Sequence, residues 1–225
     1  MIGFDNATAQ RSYYDRRYHY EDDIAQPNPK RLWHALRELE PLAGADFLDL
    51  GCGVGWSTRL AVVQGRVSHA VGMDFSRTAL TLASQQAARD AIPRVEWVLA
   101  DGTSLPFSDE SFDRGFSFGS MEHFPDVRRG FGELARVLRP GALAVSVVPN
   151  FYVHTQQPIE HRETIVGWRR IIESVGLAVL RVGSDLGPTP SPTSDPLRMV
   201  VRPVLRAARS VQALCYQFIF VMQKP

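Results

Sequence analysis

Three glycines at alternate positions, Gly51, Gly53 and Gly55, constrain this chain more than any other feature. They follow a short apolar run, Phe47 to Leu50, of the kind a buried parallel strand shows, and they precede Ser57 to Val63, which can start a helix. Strand, glycine turn and helix open a nucleotide-binding βαβ unit. Glycine allows positive φ and leaves no Cβ, so a ligand can lie against the backbone, and the new helix offers it free N–H groups. The spacing is G-x-G-x-G, and Trp56 stands where a dinucleotide fingerprint has its third glycine. The Walker A lysine is missing as well. Asp49, just before the first glycine, would repel a pyrophosphate and suits a cation such as the ammonium of an amino acid.

The chain around this stretch alternates strand and helix. Strands are expected over 47–50, 69–73, 95–99, 113–118 and 142–148, and helices over 56–63, 76–90, 127–138 and 162–175. A further helix is expected over 29–39, with Pro29 in its first turn and Leu32, Trp33, Leu36 and Leu39 at helical spacing. Ser76 is placed to cap the helix that follows it. This alternation predicts a parallel sheet with helices on both faces. Leu177 to Val182 and Ala213 to Met222 read as two late strands. The stretch between them holds Pro188, Pro190, Pro192 and Pro196 and reads as an insertion over 184–211. In it Arg198, Arg202, Arg206 and Arg209 would share a helix face, a solvated one, a site for an anionic acceptor, or one resting on anionic lipid despite Pro203.

A length of 225 residues suits one well-packed α/β domain, and 44% hydrophobic with 22% charged residues is ordinary for a globular chain. A net charge of +1 argues against a nucleic-acid binder. Cys52 and Cys215 are far apart, show no metal spacing and fit a reducing compartment. The N-terminal residues show no basic and apolar leader pattern, and Ala213 to Met222 is too short to span a membrane. The expected location is the cytoplasm.

Asp49 to Gly55 resembles motif I of the class I S-adenosylmethionine (SAM)-dependent methyltransferases. Val71 to Asp74, Ala100 to Gly102, Ser111 to Asp126 and Leu138 to Ala142 resemble later motifs of that family, in the right order across residues 45 to 150. The resemblance implies a Rossmann-like seven-stranded, mostly parallel sheet with helices on both faces and the last strand antiparallel. It implies one domain over 1–225: a helical cover over 1–44, the SAM-binding core over 45–150 and an acceptor-side half over 151–225. Asp74 would accept both ribose hydroxyls, although it can equally cap a helix. Asp101 would accept the adenine amino group and Gly102 admit the ring, although Asp-Gly also forms turns. Phe75, and more loosely Leu105, would pack on the purine. Asp49, with the backbone of Gly51, Cys52, Gly53 and Gly55, would hold the methionine end, as would the backbone at Ser117 and Phe118.

The activity implied is methyl transfer from SAM to a small molecule, with S-adenosylhomocysteine as product and O-methylation of a natural product or saccharide as the acceptor chemistry. No Asn/Asp-Pro-Pro-Tyr motif follows the fourth strand, against methylation of nucleic-acid amines. His123 and His154 are candidate general bases, and His123 can equally serve the local fold. Tyr14, Tyr18 and His161 are candidate acceptor contacts, the tyrosines sharing a helix face or packing on the core. Some quinone-pathway relatives add a glutamate three residues before Glu122 to hold a metal; here that residue is Gly119, and no metal is expected. The partner expected is a small-molecule acceptor, with no nucleic acid, no stable membrane insertion and room for a homodimer. Two other readings stand beside this one: a SAM-binding protein catalysing a rearrangement or cyclisation, and a non-catalytic partner subunit.

Overall fold

The computed structural model describes residues 6–20, 28–152, 159–185 and 215–225. Among them seven strands form one sheet in the order β3-β2-β1-β4-β5-β7-β6. The strands are β1 (Asp46–Leu50), β2 (His69–Asp74), β3 (Val95–Leu99), β4 (Phe112–Phe118), β5 (Leu138–Pro149), β6 (Ala178–Asp185) and β7 (Gln217–Gln223). The helices are α1 (Asn6–Tyr20), α2 (Pro29–Leu36), α3 (Trp56–Val63), α4 (Arg77–Arg89), α5 (Val127–Val137) and α6 (Ile165–Glu173). β1 to β5 pair in parallel, and β7 runs antiparallel between β5 and β6. The chain order reverses beside β1, where β2 lies on one side and β4 on the other, so ligands are expected above the carboxyl ends of these strands.

The central strands are apolar on both sides because helices cover both faces. Leu48, Ala144, Val148, Phe218 and Phe220 pack with Phe131 and Leu134 of α5 and Trp168 and Ile172 of α6. Their neighbours Phe47, Val145, Val147, Ile219 and Val221 pack on the other face, with Leu32, Ala35 and Leu36 of α2 and Ala61 of α3. Trp168 keeps its indole N–H satisfied by donating to the Pro149 carbonyl at 2.9 Å. Ser76 caps α4 as expected, its Oγ accepting from the Ala79 N–H.

Several boundaries differ from the sequence reading. α2 stops at Leu36 and a 3-10 turn carries Arg37 to Leu39. β5 starts at Leu138, four residues early, because Phe112 pairs with Leu138 before a register shift resumes the ladder at Arg114 and Leu143. α6 is shorter than expected, and β6 runs on to Asp185, so Ser184 and Asp185 belong to the sheet and not to the insertion. Residues 186–214 lie outside the described residues, and so do the four arginines of the expected cationic face. Among the described residues no helix is long and apolar enough to cross a membrane.

Candidate functional site

A cavity of about 580 Å³ opens at the carboxyl ends of β1, β2 and β4. Its size is within the range of small-molecule sites, roughly 300–1,000 Å³. The glycine turn and Trp56 form one wall, Met73 to Phe75 and Ala100 to Gly102 a second, Phe118 to Ser120 and His123 to Pro125 a third, and α1 covers it with Tyr14 and Tyr18.

The glycine turn is tied to the strand beside it. Gly51 and Cys52 N–H both donate to the Met73 carbonyl, and Gly53 N–H donates to Asp74 Oδ2 at 2.8 Å. Gly53 and Gly55 have φ of +54° and +75°, left-handed backbone that side chains disfavour. A Cβ on Gly53 would stand 2.9 Å from the Tyr18 hydroxyl, so this position opens towards the cavity. Gly55 faces inward instead, where its Cβ would lie 2.3 Å from the Trp97 ring. The Cys52 thiol lines the cavity, and burial raises its pKa, so it is a neutral wall.

Asp74 lies on the cavity as expected and is buried. Its Oδ1 accepts from Ser76 N–H at 2.9 Å, so the carboxylate joins β2, the glycine turn and the start of α4. Burial pushes its pKa up to about 6, against the lowering by these N–H donors. Asp49 differs from the sequence expectation. It does not line the cavity; its Oδ2 accepts from Ser57 Oγ at 2.5 Å and Thr58 Oγ1 at 2.6 Å. The first turn of α3 claims this carboxylate, and burial raises it to about 6.

Asp101 lines the cavity and is exposed, its Oδ1 accepting from the Thr103 N–H and hydroxyl, both at 2.8 Å. It is thus turn-forming and solvent-facing together. The space beside Gly102 belongs to a protein ring: a Cβ there would be 2.3 Å from Phe124. Phe75 lies edge-on to Tyr14 with ring centroids 5.6 Å apart, and Leu105 is a core residue.

After β4 the expected residues separate. Phe118 lines the cavity, whereas Ser117, whose backbone was expected there too, is buried in the sheet and is not on its wall. Ser120 Oγ donates to the Gly51 carbonyl at 2.8 Å and closes this wall onto the glycine turn. His123 reaches the cavity, with its Nδ1 engaged elsewhere. Nδ1 is 2.6 Å from the Ile159 carbonyl, which makes it the donor, and Nε2 is 3.8 Å from Glu122 Oε1. Burial lowers the His123 pKa, so its imidazole is neutral near pH 7. The Nδ1 hydrogen bond holds the local fold, and Nε2 makes no hydrogen bond within the protein.

Glu122 was not singled out as a site residue by itself, and its carboxyl group is raised further than those of Asp49 and Asp74. Burial raises it from 4.5 to about 8, and Oε2 has no hydrogen-bond partner. The folded chain therefore keeps a proton that the unfolded chain releases above about pH 4.5, and that advantage is lost as pH rises through 8. Asp49 and Asp74, with pKa values near 6, have lost most of their protons by the start of this window. Denaturant unfolding should lose about 2 kcal/mol between roughly pH 6.5 and 8. Glu122→Gln should flatten that slope, and an unchanged slope would show that another group carries it.

Tyr14 and Tyr18 share a face of α1, with stacked rings 6.3 Å apart, and both line the cavity. Burial raises the Tyr14 phenol, which stays neutral. Gln10, one turn earlier, donates from Nε2 to the His123 carbonyl, and Ser76 Oγ donates to Asp15, so α1 is fastened at both walls. His161 is not on the cavity wall, and its N–H donates to the Glu122 carbonyl at 2.7 Å. His154 lies outside the described residues. Trp56, Ser120, Phe124 and Gln10 were missed by sequence reasoning; for Gln10 the signal was present, since Gln10, Tyr14 and Tyr18 recur every four residues. No group of three or more metal-ligating side chains occurs among the described residues.

Residues 48–146 match the family model of a methyltransferase domain. The chain is similar to the demethylmenaquinone methyltransferase of Clavibacter sepedonicus, 41% identical over 137 residues, covering 60% of this chain and 52% of the relative. It is similar to the methyltransferase GfsG of Streptomyces halstedii, 31% identical over 193 residues, covering 76% of this chain and 66% of the relative. The chain thus spans about half to two thirds of the length of these relatives. Among solved structures, a chain from the complex of the Haloferax volcanii Trm112 methyltransferase activator with a methyltransferase superposes with a TM-score of 0.76 at 22% identity, covering 94% of this chain and 97% of that one. Haemonchus contortus phosphoethanolamine N-methyltransferase 2 in complex with SAM superposes at 0.74 with 18% identity, covering 100% of this chain and 60% of that one. Those two likenesses show the fold; the match over residues 48–146 identifies this part of the chain as a methyltransferase domain of the class I SAM-dependent family.

Proposed function

We propose that this chain binds SAM across the tops of β1, β2 and β3 and transfers its methyl group to a small-molecule acceptor entering from the β4 side. The observation that carries this reading is the cavity itself: a left-handed glycine turn with a buried strand-end carboxylate, Asp74, on the adjoining wall. Asp74 Oδ1 accepts from the Ser76 N–H and Oδ2 from the Gly53 N–H, and a carboxylate's further accepting capacity suits the ribose hydroxyls. Asp101 would take the adenine amino group on its solvent side, with Phe75 and Phe124 beside the purine. The N-cap of α3 is Gly55, which has no side chain, and Trp56 and Ser57 at the start of the helix line the cavity, so the N–H groups there suit the methionine carboxylate. The sulfonium supplies an activated methyl group, and the chain's task is to orient the acceptor and exclude water.

The names of relatives, which include quinone and O-methyltransferases, support a small organic acceptor, with O-methylation of a natural product or saccharide as the chemistry we favour. We place the reaction in the cytoplasm, in a single domain and without a metal. Thermal unfolding with S-adenosylhomocysteine, SAM and NAD in parallel tests the reading. A ligand at about a hundred times its Kd adds roughly 2.7 kcal/mol, or about 5–11 °C for a domain of this size. Both adenosyl ligands should produce the shift and NAD none. No shift with any of them would remove the cofactor reading. Binding without turnover of any acceptor would favour a rearrangement or cyclisation.

A further inference from the structure

Three apolar side chains form one wall of the cavity. Leu32 of α2, Trp56 at the start of α3 and Phe118 at the end of β4 all line it, and Trp56 and Phe118 pack against the buried cluster that holds Leu32. The two rings share a second feature. The Arg59 guanidinium lies over the Trp56 ring at 4.5 Å, and the Arg31 guanidinium over the Phe118 ring at 5.0 Å. Neither arginine lines the cavity, so each covers its ring from outside. Arg59 is buried, 3.8 Å from Asp90, and its Nη1 has no hydrogen-bond partner among the described residues. Arg31 is held by Asp185, which accepts from its Nε at 2.6 Å, and by Gln217 Oε1.

An aromatic ring carries negative potential over its faces and attracts cations there. In this wall two guanidinium groups already take up that attraction. A cation on one face draws electron density away from the other. The cavity face therefore attracts cations and sugar C–H groups less, and it stacks better with an electron-rich ring. We propose that the wall of Leu32, Trp56 and Phe118 is the acceptor subsite and selects a flat, electron-rich aromatic acceptor, a hydroxylated arene, over a saccharide or a cationic amine. This rests on the cofactor reading above and narrows its acceptor class. Asp74 and Asp101, the acids of that reading, line the cavity at the ends of β2 and β3, whereas Phe118 ends β4, the side from which the acceptor enters. The backbone N–H groups of Trp56 and Ser57 remain for the methionine carboxylate, and the indole face for the acceptor. Leu32 adds apolar surface without direction, so selectivity lies in the two rings.

The test uses three probes of similar size: naphthol, its saturated counterpart decahydronaphthol, and the N-methylquinolinium cation. Calorimetry measures their binding to the chain saturated with S-adenosylhomocysteine. On the unchanged chain naphthol should bind about tenfold more tightly than either of the others. In Phe118→Leu that preference should fall to about threefold or less, with the affinity for S-adenosylhomocysteine kept. In Arg31→Met the Phe118 ring loses its guanidinium, and N-methylquinolinium should gain about threefold on naphthol. Equal binding of the three probes, no binding of naphthol, a preference that survives both Phe118→Leu and Trp56→Leu, or a ranking unchanged in Arg31→Met overturns the proposal and leaves the cofactor reading intact. A loss of S-adenosylhomocysteine affinity in Phe118→Leu that matches the loss of naphthol gives the wall to the cofactor and overturns it as well. Failure of the unchanged chain to bind S-adenosylhomocysteine overturns both readings. Should a variant not fold, the ranking of the three probes on the unchanged chain decides.

Discussion

Asp74→Ala should weaken S-adenosylhomocysteine binding by more than a hundredfold, roughly 3 kcal/mol or more, at two charge-assisted hydrogen bonds of about 1.5–3 kcal/mol each. The substitution also frees the Gly53 and Ser76 N–H groups that the carboxylate holds, so the turn loses its tie to β2. Calorimetry gives the affinity, and circular dichroism of the free variant separates lost binding from lost fold. Asp74→Asn should be intermediate, since an amide has only one accepting atom. The same carboxylate sets a pH dependence. Its pKa is about 6, and its protonated form accepts fewer ribose bonds, so affinity should fall as pH drops below 6, up to about tenfold per unit. Asp49 has a pKa in the same place but turns away from the cavity, so Asp49→Asn should leave that dependence in place. If Asp49→Asn removed it and Asp74→Asn did not, the roles of the two acids would be reversed.

Gly55→Ala should be among the most destabilising of the glycine substitutions around the cavity, with Gly51→Ala beside it. Two costs add at Gly55: left-handed backbone at φ +75°, worth about 1–2 kcal/mol, and a Cβ placed 2.3 Å from the Trp97 ring, an overpacking of about 1–3 kcal/mol. The melting temperature should fall on the order of 10 °C. Gly72 in β2 meets the same ring, with a Cβ at 2.5 Å, but its backbone is an ordinary strand, so Gly72→Ala should cost only the overpacking term. Shortening the ring separates the two. In a Trp97→Leu background Gly72→Ala should become nearly neutral, whereas Gly55→Ala should keep about 1–2 kcal/mol of strain. Equal rescue at both positions would mean that the left-handed turn at Gly55 carries no cost.

Trp97 also shows where sequence reasoning stops. The order of strands and helices could be read because each element is a local pattern, and Gly51 to Gly55 fixed where the ligand side lies. Asp74 and Asp101 could be placed at strand ends for the same reason. What Gly55, Gly72 and Gly102 accommodate was hidden, because their partners Trp97 and Phe124 meet them only in the folded sheet. Gly102 lines the cavity as read, but the room left by its missing side chain is filled by the Phe124 ring. Asp49 was misplaced although the clue was near: Ser57 and Thr58 follow at eight and nine residues, where a helix doubling back over its strand returns them. β5 was shortened because Arg139-Pro140-Gly141 reads as a turn, yet Leu138 still pairs across a bulge. The wall of Leu32, Trp56 and Phe118 joins three separate elements, and no local pattern announces it.

The pairing of β6 with β7 makes their connection detachable. Both ends of residues 186–214 meet at one point of the sheet, where the Tyr216 N–H donates to the Asp185 carbonyl at 3.0 Å. Lengthening a loop whose ends are already clamped costs only about 0.6 kcal/mol per doubling. The ladder from Asp185 and Gln217 back to Ala178 and Gln223 does not depend on what the loop contains. The clamp opens on the same side of the sheet as the cavity. The connection is therefore an exchangeable cassette as far as the sheet is concerned, and an engineer can graft another between Asp185 and Tyr216 with the strand pairing kept.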